Sequence, residues 1–179
     1  KVLDDAEHLA RAEGLDDLVL AAFSSRLAVL AVTRPEEITQ DDGLDQFQDL
    51  RGETPEERLL LCLLAYRSWL LNRPRAEIVD LADRGLAGGR IPGVEIVASS
   101  GAGIASYALI VTEDDQFIEV FLDHLRTSTA AIGTTWAYAG GLVWSAMYEL
   151  TRGMPLKAAD HLRAADGVAA GQAPTLSYF

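Results

Sequence analysis

Three stretches of this chain share one design: a long, mostly uncharged segment, a short polar turn, and a shorter segment with one charged and one apolar face. The first runs from Pro55 to Asn72, turns at Arg73-Pro74 and continues from Arg75 to Leu86. The second runs from Val94 to Val111, turns at Thr112-Glu113-Asp114-Asp115 and continues through Arg126. The third runs from Thr135 to Arg152, turns at Gly153-Met154-Pro155 and continues to Ala170. Tyr66, Tyr107 and Tyr148 follow one another at intervals of 41 residues, and Thr112 and Thr151 lie 39 apart. Asp123-His124-Leu125 returns as Asp160-His161-Leu162 after 37. A unit of about 40 residues with two helices cannot bury its apolar faces alone, so neighbouring units must stack. The expectation is an all-α fold, an α-solenoid of antiparallel helix pairs.

Helical periodicity runs inside each unit. Trp136, Gly140, Val143, Met147 and Leu150 advance by steps of four and three. Phe117, Val120, Phe121 and Leu125 form a face opposite Glu119, Asp123 and Arg126. Apolar residues all round the long segments predict helices flanked on both sides. Thr54-Pro55-Glu56-Glu57 supplies an N-cap, a proline at the first helical position and a glutamate at the third. Gly88-Gly89 and Gly153 read as helix ends. Before the repeats, a helix is expected from Leu15 to Val32, followed by a more polar stretch with a short helix through Leu44, Phe47 and Leu50. Leu3–Glu13 resembles the second helix of a preceding pair, and Pro174-Thr175 the opening of another. Residues 1–179 therefore read as one helical-repeat domain of about four pairs, cut at both ends. The cut ends predict exposed apolar surface, so a homodimer formed there is expected as an artefact of truncation.

Charge and cysteine usage narrow the setting. With 27 acidic and 15 basic residues the formal net charge is −12. Phosphate backbones are held by clustered lysine and arginine, so nucleic-acid binding through this segment is not expected. Cys62 is the single cysteine and sits in an apolar run, which excludes an internal disulfide and suits a reducing cytoplasm. Two uncharged stretches, Ile96–Thr112 and Thr127–Tyr148, invite a membrane reading. The second contains five Thr/Ser residues before Trp136 and is interrupted by Gly133, so both are expected as buried helices and no membrane span is anticipated.

Signals for chemistry are sparse. His8, His124 and His161 show no metal-ligand spacing. Gly101-Ala102-Gly103 has no preceding strand and lacks the third glycine of a dinucleotide loop, which leaves close helix packing as its role. There is no phosphate loop and no nucleophile elbow, and acidic groups such as Glu113-Asp114-Asp115 fall in turns. No cofactor and no catalytic activity are expected.

The aromatic residues form the one suggestive constellation. Tyr66, Trp69, Tyr107, Trp136, Tyr138, Trp144 and Tyr148 all lie on the long segments. Two readings stand open. They pack helix against helix, or Tyr66, Trp69, Tyr107, Trp136, Tyr138 and Tyr148 line a groove that grips a small molecule or a protein partner.

Arg51-Gly52-Glu53-Thr54-Pro55-Glu56-Glu57-Arg58-Leu59-Leu60-Leu61, the pair ending at Leu86-Ala87-Gly88-Gly89, and Leu150-Thr151-Arg152-Gly153-Met154-Pro155-Leu156 resemble the helical-repeat region of large ATP-binding LuxR-type transcriptional regulators of actinobacteria. The resemblance covers Leu15–Phe179 and implies a tetratricopeptide-like superhelix. It implies a position between an ATPase module and a DNA-binding helix-turn-helix, where such a region senses a small-molecule inducer or a protein partner. Neither flanking activity can be assigned to this segment, and the turn at Thr112–Asp115 is more acidic than the family's. A generic protein-interaction scaffold is the alternative expectation.

Overall fold

The structure is a computed structural model, and it describes residues 2–40, 42–92, 101–112 and 115–170. Among these residues every regular element is helical. Helices α1 (Val2–Ala12), α2 (Asp16–Thr33) and α3 (Pro35–Thr39) lead through a 3-10 helix (Asp42–Phe47) into α4 (Pro55–Leu70) and α5 (Arg75–Gly85). Then come α6 (Gly101–Thr112), α7 (Asp115–Ile132), α8 (Thr135–Thr151) and α9 (Pro155–Ala170). Part of the second expected unit, residues 93–100 with the turn residues Glu113 and Asp114, lies outside the described residues, as does the stretch holding Pro174-Thr175.

The packing order explains the sequence pattern. The apolar helices sit side by side, α2 on α4, α4 on α6 and α6 on α8, while α1, α5 and α9 each pack against the long helix next to them in the chain. Helix α4 is thus enclosed by α2, α5 and α6, and its Leu60, Leu61, Leu63 and Leu64 are all buried. Each such leucine contributes about 1.5–3 kcal/mol relative to an exposed one, which is why the segment needs apolar residues on every face. Phe121 and Leu125 of α7 and Tyr148 of α8 extend the same core, and Ala139, Leu142 and Ala165 form a smaller one between α8 and α9.

Two boundaries differ from the sequence expectation. Helix α7 continues past Arg126 to Ile132, so the uncharged stretch Thr127–Tyr148 is two helices meeting at a corner. Gly133 makes that corner at φ +76°, a conformation side chains resist, and Thr134 N–H returns to Thr129 O. No described helix is long and apolar enough to cross a membrane. The other difference is α3, an additional helix that starts on Pro35 within the polar stretch.

That stretch is tied down by three arginines. Arg67, buried in α4, donates to Ile38 O (3.1 Å) and to Asp45 Oδ1 (2.6 Å). Arg84 of α5 donates to Gln48 O and Leu50 O, and Arg58 to Gly52 O. Gly52 fits at φ +76° because a Cβ there would stand 2.5 Å from Arg84 O. The start of α4 follows its sequence signal: Thr54 Oγ1 accepts from Glu57 N–H, while Glu57 Oε2 accepts from Glu53 and Gly52 N–H.

Candidate functional site: an aromatic groove across the long helices

Because α2, α4, α6 and α8 lie in one row, their side chains on one flank share a surface. There a cavity of about 430 Å³ opens, lined from all four of these helices with a contribution from Leu125 of α7. Tyr66 of α4, Tyr107 of α6, and Trp136 and Trp144 of α8 bring rings to it. Between them lie residues with little or no side chain, Ala102, Gly103, Ala137, Gly140 and Gly141, while Ala31 and Val32 of α2 complete the lining. None of these residues is charged, and the polar atoms among their side chains are the two phenol hydroxyls and the two indole N–H groups.

The rings form a continuous relay. Tyr66 and Trp69 have centroids 5.7 Å apart, Trp69 meets Tyr107 edge to face at 5.0 Å, and Tyr107 meets Trp144 at 6.5 Å. Such tilted and edge-on pairs are favoured by the ring quadrupoles and hold the lining rings in fixed attitudes. Burial, and secondarily the neighbouring Tyr107, pushes the Tyr66 hydroxyl above the usual phenol range. Trp136 stands apart from the relay and is 47% exposed.

The six residues expected at a groove therefore divide. Tyr66, Tyr107 and Trp136 line the cavity, and Trp69 meets Tyr107 edge to face. Tyr138 packs against the α8–α9 cluster of Ala139, Leu142 and Ala165. Tyr148 is buried and turned toward α7. Its hydroxyl lies 3.0 Å from both Asp115 Oδ1 and Glu119 Oε1 and accepts from Arg152 Nη1 at 2.7 Å. Burial, more than the two carboxylates, raises its pKa to about 12, against a smaller opposing effect of Arg152.

Trp144, Gly103 and Gly140 belong to the lining without having stood among the expected groove residues. A signal for them exists in the chain. The 37-residue interval that carries Asp123-His124-Leu125 onto Asp160-His161-Leu162 also carries Gly103 onto Gly140 and Tyr107 onto Trp144. Each glycine sits four residues before its ring, on the same helix face.

His124 Nε2–H donates to Ile91 O at 2.8 Å, and Cys62 is buried at the α4–α5 contact. No group of three or more potential metal ligands occurs among the described residues. Compared with known proteins, the chain matches no family model, no curated protein and no solved structure.

Proposed function

We propose that this chain is a sensory, non-catalytic helical-repeat module that binds a small molecule in the aromatic groove and passes the event on through helix packing. The observation that carries the reading is the groove's position. Its lining comes from α2, α4, α6 and α8, so an occupant touches four helices whose mutual packing sets the shape of the whole row. A ligand that prefers one spacing of that row shifts the population toward it, which is the physical content of signal transmission. The side-by-side packing of the apolar helices α2, α4, α6 and α8, with α1, α5 and α9 each on its chain neighbour, supports the α-solenoid, tetratricopeptide-like reading, and with it the LuxR-type regulator as the parent architecture. In that setting the module acts in the cytoplasm between an ATPase and a DNA-binding module.

A protein partner laid along the groove is the second reading. It is favoured by the exposure of Trp136 (47%) and Val32 (72%) among the lining residues, since anchors of this kind suit a peptide or helix. The regulator reading is tested in the intact protein with Tyr107→Ala and Trp136→Ala. Both variants should accumulate normally yet require at least tenfold more inducer. An unchanged response at normal protein levels contradicts it.

A further inference from the structure

The groove contains two glycines related by the 37-residue interval, and their surroundings differ in a telling way. At Gly103 a Cβ would stand 3.3 Å from Cζ2 of Trp144, so that glycine is the seat on which the Trp144 indole rests. At Gly140, the equivalent position one unit later, nothing among the described residues lies within 4 Å of where a Cβ would be, so no described packing contact requires glycine there. Gly140 sits in the interior of α8, where glycine is among the poorest helix formers. Its neighbour Gly141, by contrast, is explained by packing, since a Cβ would meet Leu125 at 3.3 Å.

We infer that Gly140 is a ligand seat, and that the groove takes an uncharged, flat ring system which lies over Gly140 as the Trp144 indole lies over Gly103. The inference rests on the reading of the groove as a small-molecule site and names the class of molecule. Flatness follows from the internal example: the missing side chain admits a ring to the helix backbone, in a cavity that Tyr107 and Trp136 also line. Neutrality follows from the lining, which among the described residues holds no charged group to compensate a desolvated ionic one. The acidity of the chain, net −12, adds a general bias against anions.

A matched pair of fluorescent probes tests this on the whole 179-residue chain. N-phenyl-1-naphthylamine is uncharged, and 8-anilinonaphthalene-1-sulfonate is the same ring system carrying a sulfonate. The neutral probe should bind at least tenfold more tightly. Gly140→Leu, which fills the space over the seat, should weaken it at least tenfold while the helical circular dichroism stays unchanged. Should that variant fail to fold, Gly140→Ala adds one methyl group to the same space and should weaken the neutral probe about threefold. Equal affinities for the two probes, both lost in Gly140→Leu, would overturn the ligand class and leave the groove reading standing. Neutral-probe binding unaffected by either substitution would overturn the seat. If neither probe binds the unaltered chain, the seat and the small-molecule groove both fall.

Discussion

The same chemical change, glycine to alanine, should have opposite effects at two positions of this chain. At Gly140, an alanine methyl enters open space inside a helix, so only the backbone propensity changes, a gain of about 0.8–1 kcal/mol. At Gly85, the end of α5, a Cβ would stand 2.9 Å from both the backbone nitrogen and Sγ of Cys62 and 3.1 Å from Arg58 O. Two of those three atoms belong to the α4 backbone, and they cannot swing aside. Overpacking of this kind costs about 1–3 kcal/mol, which exceeds any propensity gained at a helix end, and the net loss should be roughly 1–2 kcal/mol. For a chain of this size each kcal/mol moves the midpoint by roughly 2–4 °C. Gly140→Ala should therefore melt about 2–4 °C higher and Gly85→Ala about 2–8 °C lower, read by circular dichroism and checked by urea midpoints. Combining Gly85→Ala with Cys62→Ala removes the sulfur clash but not the backbone ones, so the two changes should couple and restore only part of the loss. If Gly85→Ala stabilises, or if both single variants shift the same way, the close α4–α5 approach described above is wrong.

Two further outcomes follow from polar groups. Asp45→Ala should destabilise by about 1–2 kcal/mol in urea titrations, because it leaves the buried Arg67 guanidinium without its carboxylate. Asp160→Ala, which removes an ion pair exposed on both sides, should cost less than about 0.5 kcal/mol, and equal losses would refute the anchoring role of Arg67. In an alkaline titration followed by phenolate absorbance, Tyr148 should ionise last, near pH 12, against about 10 for an unfolded tyrosine. The neutral phenol is the form the fold prefers. Its contribution is therefore complete below about pH 10 and is lost as pH climbs toward 12. Tyr148→Phe should abolish the late step, and a wild-type curve without one would contradict the burial of that hydroxyl.

The helices were legible because their signals are local. Thr54-Pro55 starts α4 where the cap chemistry predicts, and Gly133 and Gly153 turn the chain where glycine is needed. The groove was only half legible, and the tyrosine series shows why. Tyr66, Tyr107 and Tyr148 are evenly spaced in sequence, yet they stand four, five and three residues before the ends of α4, α6 and α8 at Leu70, Thr112 and Thr151. Helix ends therefore do not fix which way each ring points: Tyr66 and Tyr107 line the groove, while Tyr148 turns to α7 and Trp144, 37 residues after Tyr107, lines it instead. The arginine anchors of residues 38–52 were not legible at all. Their acceptors are mainly backbone carbonyls, 29 to 36 residues away for Arg67 and Arg84, and carbonyls carry no residue identity.

Whether the groove holds a ligand is decided most directly by a thermal-shift screen of the chain against pooled metabolites, nucleotides, sugars and peptides. A ligand present at about a hundred times its dissociation constant adds roughly 2.7 kcal/mol, several degrees for a chain of this length. At least one pool of uncharged ring compounds should produce such a shift, and Trp136→Ala or Tyr107→Ala should remove it. A screen in which no pool moves the midpoint, or in which the shift survives both substitutions, would contradict the assignment of the aromatic groove as the sensing site.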